Sequence, residues 1–254
     1  MRKIALITGA TAGIGNATAL TLAGNNYDVI ITGRREERLK DLEQQLKKDT
    51  SADVLSLCFD VRKSDQVKKF LGGLNGKWAS VDVLVNNAGL ASGLNPIDKG
   101  DIDDWEKMID TNIKGLLYVT RLIAPGMVER KQGHIINIGS IAGKEVYENG
   151  NVYCATKHAV DALNKGMRID LADHNVKVTS INPGAAETEF SKVRFHGDED
   201  KAKKVYDGFI PLYGQDIAEA ILFAVTRPAH VNINEMLIMA TAQANSTKTV
   251  RDKD

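Results

Sequence analysis

Seven short apolar runs, at residues 3–7, 28–32, 53–59, 81–86, 134–138, 177–181 and 236–239, recur along the 254-residue chain. Segments of helical period separate them, at 14–23, 36–46, 64–71, 102–123, 151–171 and 216–225. Several runs are apolar throughout, without the alternation of a strand that has one wet face, so they suit a parallel sheet covered on both sides. Strand and helix in turn predict an α/β chain built from right-handed crossovers: a doubly wound, seven-stranded parallel sheet with helices on both faces. Ligands of such sheets gather beyond the carboxyl ends of the strands, near the point where the winding reverses. Residues that end a strand are therefore where chemistry is expected.

No repeat, low-complexity stretch or Pro/Ser-rich linker interrupts this order, which predicts one domain over residues 1–254. Lys+Arg and Asp+Glu balance at 33 each, leaving no net field to attract nucleic acid or an anionic membrane. No apolar stretch nears the ~18 residues of a membrane span. The charged start Met1-Arg2-Lys3 precedes an apolar run, residues 4–7, too short for a signal-peptide core. Two cysteines, Cys58 and Cys154, argue against a disulfide framework and suit a reducing compartment. A cytoplasmic protein is expected, with neither nucleic acid nor membrane as partner. The five histidines lack ligand spacing, so no metal site is expected.

The first run opens into Thr8-Gly9-Ala10-Thr11-Ala12-Gly13-Ile14-Gly15, a G-x-x-x-G-x-G turn leading into a helix. Glycines there permit a tight turn and let backbone N–H groups approach a pyrophosphate at a helix N-terminus. Gly9, Thr11, Gly13, Ile14 and Gly15 are accordingly expected to bind a dinucleotide. The second run ends at Thr32-Gly33-Arg34-Arg35, where an NAD enzyme carries an acid for the ribose 2′-OH. Guanidiniums match a 2′-phosphate in charge and geometry, which predicts NADP(H); the alternative is that Arg34 and Arg35 merely pair with Glu36, Glu37 or solvent. Asp60-Val61 ends the third run, where a carboxylate suits the adenine amino group. Asn86-Asn87-Ala88-Gly89 ends the fourth, with small residues Ala88 and Gly89 leaving room for the adenosine ribose and amides Asn86 and Asn87 able to tie strands. Each is also ordinary turn chemistry, but four successive strand ends agree.

Tyr153 and Lys157 stand four apart on a predicted helix and so share a face. A phenol is a poor acid–base group at neutral pH until its anion is stabilised. An ammonium about 6 Å away, at an effective dielectric of about 20, is worth ~2.8 kcal/mol, so Lys157 is expected to bring the Tyr153 phenol down. Ser140 ends the fifth run and offers a hydroxyl to a substrate oxygen. Asn112 is an awkward amide inside a partly apolar helical segment. A Tyr-x-x-x-Lys pair alone is commonplace; the nucleotide turn and a serine thirteen residues upstream make it a candidate active site.

Residues 8–15, Asn86-Asn87-Ala88-Gly89, Asn112, Ser140, Tyr153, Lys157 and Pro183-Gly184 together resemble the pattern of the classical short-chain dehydrogenase/reductase family, over nearly the whole chain. The resemblance implies a single Rossmann domain, with residues 1–90 mainly binding cofactor, 105–240 serving catalysis and substrate, and 241–254 a tail. It implies that Tyr153 exchanges its proton through the nicotinamide ribose and Lys157, with a water near Asn112 leading to solvent. Tyr153 and Lys157 would thus also touch the cofactor, and Pro183, Gly184 and Thr188 would border the nicotinamide, Thr188 on its carboxamide. A narrower likeness runs through residues 149–153 and 188–195 to the NADP-dependent 3-hydroxy acid dehydrogenases that also oxidise serine and allo-threonine. That subgroup implies a homotetramer, joined partly through the helices that hold Asn112 and Tyr153. Ala185-Ala186 departs from it, since larger apolar residues are usual there, and this loosens the substrate end.

The expected reaction moves a hydride between the nicotinamide and C3 of a short 3-hydroxy acid, or reduces the matching semialdehyde or 3-oxo acid. Ser140, Tyr153 and Arg194 are the expected substrate contacts. The segment after Pro183-Gly184 should form a lid. Arg194, between Val193 and Phe195, would grip a small anionic substrate by its carboxylate; the alternative is that it pairs with Asp198 or Glu199. Other readings are a reductase of 3-oxoacyl thioesters or sugars, and a non-catalytic NADP(H) sensor, which would not need the Asn112, Ser140, Tyr153 and Lys157 set. Cys154 reads as a small buried side chain. The run Asp198-Glu199-Asp200-Lys201 reads as a solvated helix start, and residues 241–254 as a polar tail, disordered or docked on a neighbour.

Overall fold

Every apolar run forms a strand in the computed structural model, which describes residues 2–252. Met1, Lys253 and Asp254, the ends of the expected domain and tail, lie outside the described residues. The strands are β1 (Lys3–Ile7), β2 (Tyr27–Gly33), β3 (Val54–Cys58), β4 (Val83–Asn86), β5 (Gly133–Ile138) and β6 (Val176–Pro183). Two short strands, β7 (Ala186–Glu187) and β8 (Leu212–Tyr213), pair apart from the sheet before its last strand, β9 (Glu235–Ile238). The main sheet has seven parallel strands in the order β3-β2-β1-β4-β5-β6-β9. The winding reverses between β1 and β4, which pair directly from Ala5 with Val83 to Ile7 with Val85.

Burial explains the unbroken apolar runs. All seven residues of β2 are buried, whereas the edge strand β9 is half-exposed along its length. Against one face of the sheet pack α1 (Gly13–Gly24), α2 (Glu36–Asp49) and α9 (Gly214–Val225). The i, i+3, i+7 stripe Leu39, Leu42 and Leu46 is the face that α2 buries. Against the other pack α3 (Ser64–Leu71), α5 (Leu116–Arg130) and α6 (Asn151–Leu171), through Val67, Val119, Ile123, Met127 and Met167. Small residues on α1, among them Ala19 and Ala23, bring it close to α9.

One expected element is corrected. Residues 102–123 are not a single helix: α4 (Ile102–Ile109) passes into a π-helical turn, Asp110–Gly115, before α5 begins. The wider turn swings Asn112 inward and brings Gly115 against Val61, whose Cγ2 lies 2.8 Å from where a Cβ on Gly115 would stand. Two short helices, α7 (Phe190–Arg194) and α8 (Glu199–Lys204), lie between β7 and β8; Asp198 caps α8 by accepting from the Lys201 N–H at 3.0 Å. The tail is also corrected. Residues 241–252 dock on their own chain, where the Asp252 N–H donates to the Gly208 carbonyl at 2.8 Å and Arg251 stacks on Phe209. No helix among the described residues is long and apolar enough to cross a membrane.

Candidate active site

The carboxyl ends of β1, β2, β4, β5 and β6 surround one cavity of about 480 Å³. The glycine turn forms its floor. Gly9 and Gly13 adopt the left-handed conformation, with φ of 67° and 52°. A Cβ on Gly13 would stand 2.9 Å from the Thr188 Cβ, so the turn and the segment after β6 touch. Helix α1 starts at this turn with no side-chain cap and no acid in its first turn, leaving its leading N–H groups for an anion. Gly15 departs from expectation, for it does not line the cavity. A Cβ there would meet the Gly9 carbonyl oxygen and Asn87 Nδ2, both at 2.4 Å, so Gly15 serves close packing beneath the turn.

The two arginines after β2 separate. Both line the cavity, but Arg35 is committed to protein partners: it donates to Glu189 at 2.7 Å and to Thr11 Oγ1 at 2.8 and 3.2 Å. Neither arginine pairs with Glu36 or Glu37, and Arg34 has no hydrogen-bond partner among the described residues. Asp60 also lines the cavity, though Arg62 grips its carboxylate at 2.6 to 3.1 Å. Burial opposes ionisation of Asp60, but the Arg62 bonds and the Arg34 charge hold its carboxyl below the ordinary value. Val61 and Ala88 complete this wall, and Gly89 continues it toward Lys157. Asn87 Nδ2 donates to the Thr8 carbonyl at 2.8 Å, and Asn86 Nδ2 bridges to Asn137 on β5 at 2.9 Å, so the amides do tie the strands. A free guanidinium, an uncapped helix start and a glycine floor together fit a phosphorylated dinucleotide.

Ser140, Tyr153 and Lys157 meet at the other end of the cavity, beside Pro183, Gly184 and Thr188. The Ser140 hydroxyl accepts from the Ala142 N–H at 3.1 Å, which fixes it at the start of a short helical turn, Ile141–Gly143. Lys157 Nζ lies 6.0 Å from the centre of the Tyr153 ring and donates to the Ile138 carbonyl at 2.9 Å. Burial dominates both groups. It pushes the Tyr153 phenol up, reinforced by Tyr147 and opposed by the Ser140 hydroxyl and the Arg194 charge. It also pushes the Lys157 ammonium down to about 8. Lys157 is not among the groups that shift the phenol in the protein alone, so the expected lowering is not seen there and burial sets both values. Asn112 stands one layer back and does not line the cavity. Its amide is fully engaged, donating to the Leu90 carbonyl at 2.9 Å and Thr156 Oγ1 at 3.0 Å while accepting from the Leu90 N–H at 2.9 Å.

Residues that the sequence did not single out close the site. Tyr147, in the loop before α6, accepts a hydrogen bond from Arg194 Nη2 at 2.7 Å. The Arg194 guanidinium lies 5.3 Å from the Tyr147 ring centre and 5.4 Å from that of Tyr153, and its buried Nε has no partner. It does not pair with Asp198 or Glu199, which are held by Lys201 and Lys192. Phe190 sets its ring edge-on to Tyr153 at 5.5 Å. Gln243, from the tail, accepts from the Ala185 N–H at 2.7 Å and fills the space over Gly184. A sequence signal existed only for Phe190, which falls in the stretch of residues 188–195; a lone tyrosine or glutamine in a loop has no spacing to mark it.

A family model described as short chain dehydrogenase matches residues 3–199. The NADP-dependent 3-hydroxy acid dehydrogenase YdfG of Salmonella typhi is 50% identical over 242 residues, covering 95% of this chain and 96% of the relative. Sulfoacetaldehyde reductase 2 of Chromohalobacter salexigens is 42% identical over 255 residues, covering 100% of both chains. Among solved structures, the closed form of a serine dehydrogenase complexed with NADP+ superposes with a TM-score of 0.92 at 45% identity, covering 98% of this chain and 100% of that one.

Proposed function

Since the chain belongs to the short-chain dehydrogenase family, we propose that it is an NADP(H)-dependent oxidoreductase acting at C3 of short 3-hydroxy acids, including serine-like ones, or on the matching semialdehydes. The observation that carries the substrate class is Arg194, a cation with an unpartnered buried Nε held over the ring of Tyr153. A 3-hydroxy acid carries its carboxylate two carbons from the reacting centre, a reach that suits a guanidinium beside the phenol. When bound, the cofactor would supply the hydride as NADPH in the reduction and accept it as NADP+ in the oxidation. Arg34 would hold the 2′-phosphate, and Thr11, Gly13 and Ile14 the pyrophosphate, at the start of α1. Gly89 and Thr188 would flank the nicotinamide half.

Tyr153 would give its proton to, or take it from, the substrate oxygen, with Ser140 orienting that oxygen. The Lys157 ammonium would stabilise the phenolate left when Tyr153 gives up its proton, and its bond to Ile138 fixes its position. Asn112 supports the loop that carries Gly89 and Leu90 by bonding both main-chain groups of Leu90. Two relatives with different substrates argue for a direct comparison. NADPH absorbance should be followed with serine, 3-hydroxyisobutyrate, 3-hydroxypropionate, malonic semialdehyde, sulfoacetaldehyde and an acetoacetyl thioester. Turnover confined to the carboxylates supports the reading. Preference for the sulfonate or the thioester moves the substrate class, and NADPH binding without turnover of any substrate favours a sensor.

We further propose a homotetramer in the cytoplasm. Exposed apolar side chains support it on two faces, Ile109 and Leu117 around the π-helical turn and Phe223 and Leu237 on α9 and β9. Light scattering of the purified protein decides between four copies and fewer.

A further inference from the structure

Residues 186–213 run from β7 through α7 and α8 to β8 and contribute Thr188, Phe190 and Arg194 to the cavity wall. One carboxylate ties this segment to the far side of the cavity. Glu189 Oε2 accepts from Arg35 at 2.7 Å and Oε1 from Arg38 at 2.5 Å. Arg35 in turn holds Thr11 in the glycine turn. The result is a continuous bridge from the turn, through Arg35 and Glu189, to Arg38 on α2. The residues on either side of Glu189 both line the cavity. Thr188 packs against Gly13, and Phe190 packs edge-on to the Tyr153 ring at 5.5 Å.

We propose that Glu189 is a positioning residue whose carboxylate clasps residues 186–213 to Arg35 and Arg38, setting Thr188 on the glycine turn and Phe190 on Tyr153. The inference rests on the cofactor site proposed above and is independent of which substrate is used. It also divides labour between the adjacent arginines: Arg34 is left to meet a 2′-phosphate, while Arg35 serves the clasp. Partial burial of Glu189 opposes its charge, yet the two guanidiniums hold its carboxyl below the ordinary value, so the clasp is ionised at neutral pH. Each ion pair is 40–45% exposed, so either alone contributes little. A shared carboxylate makes them one unit, and loss of either arm should release the other.

The test compares Glu189→Gln, Arg38→Ala and the double variant. Arg38 does not line the cavity, so its removal touches the clasp without touching a proposed cofactor contact. NADPH dissociation is read by stopped-flow fluorescence, and protease nicking within residues 186–213 is read in parallel. Each single variant should release NADPH about 3- to 10-fold faster and be nicked sooner. The double variant should be no worse than the worse single one, because both break the same bridge. Unchanged release and nicking overturn the proposal, as do fully additive effects. Tighter NADPH binding in Glu189→Gln also overturns it, since Glu189 would then be an anion competing with the cofactor for Arg35. If the unmodified protein fails to bind NADPH, the cofactor reading falls as well; binding with unaltered variants sinks the clasp alone.

Discussion

Lys157 holds its ammonium 6.0 Å from the centre of the Tyr153 ring, and burial drives the two titrations apart, the phenol upward and the ammonium down to about 8. At neutral pH the pair is therefore a protonated phenol beside a charged lysine. That is the state needed to give a proton to a carbonyl oxygen, and the reverse reaction needs further stabilisation of the anion. Tyr153→Phe keeps the ring that packs on Phe190 and Arg194 and loses only the transferable proton. NADPH affinity should survive while turnover falls at least ~100-fold. Fluorescence titration and steady-state rates on one preparation check this; appreciable turnover would remove Tyr153 as the acid–base residue.

The buried lysine should leave a mark on stability. Folding lowers the Lys157 value from 10.5 to about 8, so between those limits the unfolded chain binds more protons. Stability then rises with pH across that window, and below pH 8 the full cost, on the order of 3 kcal/mol, is present. Burial also raises Cys154 and the tyrosines Tyr27, Tyr147, Tyr153 and Tyr206 and lowers Lys177, but these groups titrate alike in the unmodified protein and in a Lys157 variant and cancel when the two are compared. Lys157→Met removes the titration. Its stability relative to the unmodified protein should drop by on the order of 2 kcal/mol between pH 8 and pH 10. Urea unfolding without cofactor at pH 7, 8, 9 and 10 measures it, and a gap independent of pH contradicts the assignment.

Cofactor choice should depend on Arg34 above Arg35. A charge-assisted bond contributes about 1.5–3 kcal/mol, so Arg34→Ala should raise the NADP Michaelis constant by about 10- to 150-fold with NAD turnover nearly unchanged. Arg35 is bound to Thr11 and Glu189, and Arg35→Ala should disturb NAD and NADP alike. Equal use of NAD and NADP by the unmodified protein would refute the role given to Arg34.

The strands were legible because burial on both faces makes them apolar throughout, as in the wholly buried β2. The glycine turn, Ser140, Tyr153 and Lys157 were legible because spacing and strand ends bring them to one cavity. The π-helical turn was hidden: it adds a residue to residues 102–123 without breaking their apolar order, so a helical period reads straight through Asn112. Burial of Tyr153 and Lys157 together was equally hidden, because spacing along a helix says nothing of the water that both lose. Gln243 and Tyr147 reach the site from loops, where no period marks a residue's partner. The docked tail shows why polar composition misled: several of its bonds are to main-chain groups, such as the Gly208 and Val205 carbonyls, which any sequence carries.

Arg194 offers the sharpest test of the substrate. Its guanidinium is held by the Tyr147 hydroxyl at 2.7 Å and by the faces of Tyr147 and Tyr153, while Nε lacks a partner. Such a group binds a carboxylate with little reorganisation, since the cation is already placed and partly out of water. Arg194→Leu removes the charge and keeps apolar bulk between the two rings. The main-chain carbonyl of residue 194 still accepts from the Gly93 N–H, a bond of 2.9 Å, so the segment keeps its anchor there. Asp198 and Glu199 are paired with Lys201 and Lys192, so no carboxylate loses a partner. Loss of one charge-assisted contact of about 1.5–3 kcal/mol should lower kcat/KM for 3-hydroxy acids by about 10- to 150-fold. Neutral ketones or alcohols that the enzyme accepts should change less than about 3-fold, because they never used the guanidinium. Parallel kcat/KM measurements on a 3-hydroxy acid and its uncharged amide or ester separate the roles. Equal losses on both would mean that Arg194 braces residues 186–213 and does not read the carboxylate.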